Sequence, residues 1–598
     1  MLRFVCIVFL STVFLVKADK PNIIPILTDD QGFDDYGFCQ DALETPVMDR
    51  LMKDGIQFTR FYTAAACAPT RASLMTGRNF MRTGTSAVGF GAEAPHADEY
   101  FLSEAMKDAG YITGMIGKWN LGLSDGDLPS RRGFDLAWPV VREDVRSYGR
   151  YEHFNPPFFK NGRYAGREDG WQVEICTDKA INFIEKNIDE PFFLYVPYAA
   201  PHEPWNCPKD LHEKYMQMGI SESYAMFLGM MEQLDTQVGR ILECVENNEL
   251  SENTIIIFFG DNGPTPTTRI LKEENGYYSL TPNFYTMTEE EWELRNPSGL
   301  RSKKATAWEN AIRNRLSIYC PKKFAPKIVN EMTLVMDIYP TIISWAGGVR
   351  STDKPELDGI NLEPLINGEG FWPKRRYFTG ETGKPAQIMK EDGWFYRFSD
   401  LSFPLEERQT CLVDGEWSLV NDYNQWGLYN LSHDPKQSID LKEIEHEKFS
   451  KMKDTYFNEL EKIKEDPHAW SDPIQEVCEN AYLELECVFR MKGRNTVTWA
   501  NTFFNEVGAI QELKVKVLEK GNYHARLRAL NIAEDTIVRL ITANSSVETY
   551  LKPGEKYHDL GVLALGAGEQ VFSLQLVDTG NIESLPEMEF FSLELMKK

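Results

Sequence analysis

The sequence predicts an α/β protein with a mainly parallel sheet, followed by a smaller antiparallel unit and a third unit made almost wholly of strands. Three observations predict it. Up to about Ala346, short apolar runs alternate with helical patterns, as βαβ connections require. From about Phe371, Trp, Tyr and Phe crowd into short runs broken by glycine turns. From about Pro473 the hydrophobic period falls to two and helical patterning nearly vanishes.

The first unit, residues 19–370, is read strand by strand. Asn22–Leu27 is apolar and ends in Thr28-Asp29-Asp30; Tyr111–Ile116 ends in Gly117-Lys118; Phe192–Pro197 ends in Tyr198–His202; Thr254–Phe259 ends in Gly260-Asp261-Asn262. Phe101–Ala109, Cys176–Asn187 and Ala225–Glu243 carry the helical pattern between them. Pro25 sits inside the first strand and removes a ladder donor, so a bulge or an adjusted register is expected there. Polar residues follow each strand at its C-terminal end, where open α/β sheets place ligands. Four separate segments can therefore converge on one site.

The second unit, residues 371–473, reads as a small antiparallel sheet through Asp392–Tyr396 and Val413–Val420, closed by a charged helix near Ile444–Lys464. The third, residues 474–598, alternates in Tyr482–Phe489, Gln511–Glu519, His524–Asn531, Thr536–Ile541 and Val571–Val577. Short strands with Gly and Asn turns suggest a β-sandwich, similar to the jelly-roll modules that accompany carbohydrate-active enzymes. A packing or spacer role fits the same pattern.

Composition narrows the function. The 598 residues are too many for one core, and 42% of them are hydrophobic. Ninety acidic against 64 basic residues give a net charge of −26, which disfavours nucleic acid and anionic membranes. Any anion site must be a local basic cleft. Residues 1–18 read as a signal peptide: Arg3, an apolar run Phe4–Val16, and Val16-Lys17-Ala18 as the cleavage site. No other stretch is apolar and long enough to span a membrane. Secretion or delivery to a lysosome through the ER is expected, and Asn430 and Asn544 begin glycosylation sequons. Of ten cysteines, Cys6 falls in the signal peptide; with Cys67 set apart, eight remain, a count that allows disulfides without requiring them.

The chemistry centres on Ala66-Cys67-Ala68-Pro69-Thr70-Arg71 and the following Leu74-Met75-Thr76-Gly77-Arg78. A cysteine at a helix N-terminus beside an arginine is expected to have a depressed pKa. Asp29, Asp30, Asp261 and Asn262 at two strand ends offer oxygens that suit a hard divalent cation.

Cys-x-Pro-Thr-Arg followed by Leu-Met-Thr-Gly-Arg resembles the sulfatase signature. The resemblance extends in order through Pro21–Gly32, Gly117–Gly122, Arg132–Asp135, Pro191–Pro204, Thr254–Gly263, Leu300–Arg313, Met336–Thr341, Leu357–Gly359 and Gly427–Pro435. It implies an alkaline phosphatase-like fold and a sulfuric ester hydrolase acting on a sulfated carbohydrate or a small aryl or alkyl sulfate. It implies further that Cys67 is oxidised to formylglycine in the ER by the formylglycine-generating enzyme. A Ca²⁺ ion, or Mg²⁺, would be held by Asp29, Asp30, Asp261, Asn262 and the modified Cys67. A hydroxyl of the hydrated aldehyde would attack sulfur and expel the alcohol. Arg71 would hold the hydrate, while Lys118, His202 and Lys304 would bind sulfate, with His202 or Lys304 protonating the leaving oxygen.

Two positions depart from the family's pattern. Asn120 stands where a histidine, two residues after the lysine, is thought to take the proton during sulfate release. An amide cannot act as that base at neutral pH. Asn310-Ala311 replaces the usual Gly-Gly after Glu309, which is expected to reshape the lysine loop. Asn120 motivates a second reading, a sulfatase-derived extracellular binding or structural protein with little turnover. A phosphate or phosphonate monoester hydrolase is a third. The segment Pro264–Gly299, rich in Tyr, Glu and Asn, is expected to shape access to the site, and its acidic residues argue against a densely sulfated polymer.

Overall fold

In the computed structural model, residues 20–598 are described apart from 90, 123, 141–151, 275–276, 370–371, 381–387, 391, 398–406, 470, 498–501 and 581. The leader reading of residues 1–18 lies outside the described residues.

A nine-stranded sheet organises the first unit. Asn22–Thr28 is its central strand, parallel to Phe192–Pro197 on one side and Thr254–Gly260 on the other. Ile112–Gly117 pairs parallel to Phe192–Pro197 beyond it, and Arg313–Tyr319 runs antiparallel to Thr254–Gly260. The central strands are buried along their whole length, so they read as unbroken apolar runs rather than alternating ones. Helices Gln172–Lys186 and Glu222–Asn247 cover one face. Cys67–Thr76 and Ile338–Trp345 pack on the other.

The bulge expected at Pro25 is absent. The pairing with Thr254–Gly260 runs without a break through Pro25↔Ile257. On the other side the offset is the same at Ile23↔Phe193 and at Ile26↔Val196, and the rungs between them are missing. The lost N–H is thus absorbed as missing rungs, without an inserted residue.

Arg376–Gly380, Thr410–Asp414, Trp417–Asp422 and Gln425–Asn430 form the small antiparallel sheet. Helix His446–Lys464 closes it through Met452, Tyr456, Leu460 and Ile463, which join the same apolar core as one face of the large sheet. Phe395–Tyr396 does not belong to this sheet. It pairs with Arg490–Lys492, and so lies in the eight-stranded sheet of the third unit. Two residues give too short a strand for its apolar pattern to reveal which sheet accepts it.

The third unit has two mainly antiparallel sheets, of eight and six strands, enclosing an apolar core of their own. Asn544 lies exposed between strands Ile537–Ile541 and Ser546–Tyr550, whereas Asn430 is half-buried at a strand end. Cys39, Cys67, Cys176, Cys207, Cys244, Cys320, Cys411, Cys478 and Cys487 are all free thiols.

Where the third unit meets the first, Glu93 converges on Glu484 and Glu486, and all three are buried. Arg397 is the cation of this seam, but its Nη1 donates to the carbonyls of Glu486 and Val488 at 2.7 Å each. Burial pushes the Glu93 carboxyl up to about 7, with Asp127 adding to the shift. Burial together with Glu93 and Glu484 raises Glu486 well above the usual range. Folded-state values raised above unfolded ones mean that this contribution to stability is complete below about pH 4.5. It is lost as pH rises through about 7. Glu93→Gln is therefore expected to lose less stability than the native chain between pH 5 and pH 8, by on the order of 2 kcal/mol. Thermal unfolding at the two pH values reads this directly, and identical shifts in both proteins would mean that Glu93 does not titrate in this range.

Candidate active site

Cys67 opens a ten-residue helix in which every residue is buried. Its Sγ–H donates to Asn120 Oδ1 at 3.2 Å. The preceding turn is set by Thr70, whose Oγ1 accepts from the Ala64 amide at 2.9 Å. One turn into the helix, Arg71 reaches Asp261 Oδ2 through Nε at 3.0 Å and Nη2 at 2.7 Å. Its Nη1 donates to the Lys118 carbonyl at 2.6 Å. One guanidinium thus joins the helix to the ends of two strands.

The carboxylates and cations alternate around this point. Lys118 Nζ pairs with Asp29 Oδ2, and Lys304 Nζ with Asp30 Oδ1. Asn262 Nδ2 donates to Asp30 Oδ1 at 2.8 Å. His202 Nδ1 lies 2.7 Å from the Glu203 carbonyl, so that nitrogen carries the proton and Nε2, 3.9 Å from Asp30 Oδ2, is the basic one. Behind it, His153 Nε2 donates to the His202 carbonyl at 3.0 Å. The structure therefore brings Asp29, Asp30, Cys67, Arg71, Lys118, Asn120, His202, Asp261, Asn262 and Lys304 into one connected cluster.

Backbone conformation fixes the approach. Asp30 and Asn120 have φ of 65° and 59°, a region that Asp and Asn enter more readily than other side chains. A Cβ on Gly117 would stand 2.1 Å from the Pro197 carbonyl oxygen, and one on Gly263 1.8 Å from that of Asn310. Both positions need glycine for strand ends to touch. The lysine loop is held by Asn310, whose Nδ2 donates to the Ser302 carbonyl at 2.9 Å. That is the consequence of Asn310 where glycine was expected.

Electrostatics corrects one expectation. Burial pushes the Cys67 thiol up, with Asp29 and Asp261 reinforcing the shift against Lys118 and Lys304. The net direction is upward although Arg71 stands one turn away, with its guanidinium paired to Asp261. Burial opposes ionisation of Asp29, yet Lys118, His202, Lys304 and Arg71 hold its carboxyl well below the usual range. Burial and the Asp29 charge raise Asp261 to about 6. Burial lowers His202, offset in part by Asp30 and Asp29.

Asp29 Oδ1 and Asn262 Oδ1 are buried without a hydrogen-bond partner, and a ligand atom each from Asp29, Asp30 and His202 lies within 4.8 Å of the others. Buried oxygens of this kind could hold a hard divalent cation. Two supporting residues escaped the sequence reading. Asn314 Nδ2 lies 3.0 Å from the carbonyls of both Gln31 and Gly260, tying the two strand ends that carry the acids. Arg295 Nη2 donates to Asp30 O at 3.1 Å and to Asp35 Oδ2 at 2.8 Å. Asn314 follows the lysine-loop motif directly, but an isolated Asn or Arg carries no signal of its own in a sequence.

Residues 21–349 match the protein-family description Sulfatase. The chain is 27% identical over 465 residues to an arylsulfatase of Hemicentrotus pulcherrimus, covering 72% of this chain and 79% of that one. It is 26% identical over 406 residues to human N-acetylgalactosamine-6-sulfatase, covering 64% and 72%. Among solved structures, Ps i-CgsB superposes with a TM-score of 0.61 at 24% identity over 76% of this chain and 94% of that one. A PsFucS1 sulfatase from Pseudoalteromonas sp. superposes with 0.54 at 20%, covering 75% and 91%. These two share the fold.

Replacing Arg71 by Leu strands the Asp261 carboxylate in the interior. Breaking a buried pair in this way costs about 3–5 kcal/mol, and denaturant unfolding in the presence of a chelator is expected to read that loss. A loss under about 1 kcal/mol would mean that Asp261 does not depend on Arg71.

Proposed function

The chain belongs to the sulfatase family and is a sulfuric ester hydrolase, and we propose that it releases sulfate from sulfated sugars or small aryl sulfates at the cluster around Cys67. The observation that carries this reading is the meeting of four strand-end segments, with their paired acids and cations, at the first residue of one buried helix. Cys67 is converted to formylglycine, which requires a route through the ER and a formylglycine-generating enzyme. Once formed, that group supplies a hydrated-aldehyde hydroxyl as the nucleophile toward sulfur. Ca²⁺, with Mg²⁺ as the alternative, would supply Lewis acidity toward the sulfate oxygens when bound. Asp29, Asp30, Asp261 and Asn262 would hold it, together with the oxygen of residue 67. The unpartnered Oδ1 atoms of Asp29 and Asn262 support that set.

The remaining steps belong to side chains of the chain itself. Lys118 and Lys304 bind sulfate oxygens through Nζ, neutralising charge that grows as the ester bond breaks. Lys304 Nζ or His202 Nε2 supplies the proton for the leaving oxygen, His202 only as the imidazolium, since Nδ1 is committed to the Glu203 carbonyl. Arg71 orients Asp261 and the Lys118 backbone. Asn120 Oδ1 accepts a hydrogen bond from residue 67, and its Nδ2 is buried without an acceptor. It positions the nucleophile but takes no proton.

That last property favours a second reading, a sulfatase that binds its ester and turns it over slowly. Peptide mass spectrometry is expected to find formylglycine at position 67, and unmodified cysteine throughout would exclude this mechanism. Cys67→Ala is expected to abolish sulfate release from a chromogenic aryl sulfate, and chelation to suppress it reversibly. A general base contributes about 10²–10⁴-fold, so Asn120→His is expected to raise kcat by at least tenfold. An unchanged kcat would assign proton transfer to another group.

A further inference from the structure

The long segment between the Asp261-Asn262 pair and the lysine loop folds as a two-stranded ribbon, Thr267–Glu274 with Tyr277–Thr286. It is tied to the active site at its root. Thr268 Oγ1 accepts from the Trp205 amide at 2.9 Å, on the loop that carries His202. The Met287 amide donates to the Pro266 carbonyl at 2.8 Å. Arg295, just after the ribbon, donates to both Thr265 O and Asp30 O, at 2.7 and 3.1 Å. The ribbon root therefore cannot shift without moving the acids of the site.

Arg269 and Phe284 are directly paired across this root. The guanidinium carbon lies 4.5 Å from the Phe284 ring centre, and Phe284 is 54% exposed. Arg269 faces Glu203, the residue after His202, but its Nε stays 3.7 Å from Glu203 Oε2. That is an ion pair beyond hydrogen-bond distance, and both atoms are buried without a hydrogen-bond partner. The side chains of Arg269 and Glu203 are about one-fifth exposed, as are those of His202 and Lys304; Glu203 follows His202 in the chain, and His202 and Lys304 both face Asp30.

We infer that Arg269 and Phe284 form a subsite for a second oxyanion on the substrate, a sugar sulfate that carries a further carboxylate or sulfate group. The inference rests on the activity proposed above and names its substrate class. A guanidinium offers two parallel donors to a carboxylate or sulfate, and here the aromatic face holds it flat. The exposed part of Phe284 provides an apolar plane for a sugar ring. In a chain of net charge −26, one aromatic-held cation suits one additional anionic group on a short saccharide rather than a polyanion.

The test compares the native protein with Arg269→Ala, Arg269→Lys and Phe284→Ala on four probes. These are a chromogenic aryl sulfate, a monosulfated N-acetylhexosamine, its disulfated form, and a monosulfated uronyl-N-acetylhexosamine disaccharide. A hydrogen bond to a charged group is worth about 1.5–3 kcal/mol, so Arg269→Ala is expected to raise KM roughly 10- to 100-fold on whichever probe supplies the second oxyanion. On that probe kcat should stay within about twofold, Arg269→Lys should recover part of the loss, and Phe284→Ala should raise KM about threefold or more. Kinetics on the aryl sulfate should not change. The disulfated and uronyl probes separate sulfate from carboxylate. An equal loss on the aryl sulfate would make Arg269 a structural pin for the His202 loop and overturn the inference, as would a native enzyme indifferent to the second anion. Calorimetric binding of the same saccharides to the Cys67→Ala protein keeps the two proposals apart. Lost turnover with preferential binding that Arg269→Ala abolishes would count only against the activity. Binding without preference would overturn the subsite.

Discussion

Charge balance in a dry interior is the constraint on which the rest of the structure depends. Asp29, Asp30 and Asp261 are matched by Arg71, Lys118 and Lys304, and the six are fully or largely buried. Ions taken out of water are tolerated only when paired and hydrogen-bonded with good geometry. The pairs join residues 71 with 261, 118 with 29, and 304 with 30, so each closes a long stretch of chain across the sheet's edge. The architecture follows from that demand. Strand ends must touch, which needs Gly117 and Gly263 without side chains, and Asp30 and Asn120 must accept left-handed backbone. The arrangement is not fully self-satisfied, because Asp29 Oδ1 and Asn262 Oδ1 lack partners. Two unpartnered oxygens beside these acids support the cation proposed above.

Much of this was legible in the sequence, for a physical reason. A strand buried on both faces must be an unbroken apolar run, and a ligand-binding edge must place polar residues where that run stops. Both patterns are local, so Asp29-Asp30, Lys118, His202 and Asp261-Asn262 announce themselves. What was not legible is relational. Asn314 bridges two strand ends from a third strand, and Arg295 fixes the Asp30 backbone from a distant helix end. Neither residue type differs from a surface residue until the partners are known. Phe395–Tyr396 erred in the same way, since two residues show a period but not a neighbour.

The Cys67 thiol gives the sharpest contrast between local and relational reasoning. Helix terminus plus adjacent arginine suggests an activated thiolate. The structure raises the thiol instead, because burial dominates, and the arginine is paired to Asp261. An inert thiol at the centre of a charged cluster makes little sense as a nucleophile. Oxygen in its place, as proposed above, would suit the hard cation that the surrounding carboxylates suit.

Asn120 separates two functions that one residue usually combines. Its left-handed backbone and its 3.2 Å contact with Cys67 preserve placement of the nucleophile. Its amide cannot accept a proton, so placement is kept while proton transfer is given up. Around it stand the three ion pairs, the lysine loop and the Nδ1–H of His202 on the Glu203 carbonyl. A substitution that collapsed the site would leave unpaired charges, whereas this one leaves a single buried Nδ2 without an acceptor. Under the proposed mechanism, sulfate capture and sulfate release would rest on different side chains, and only the second would lack a participant.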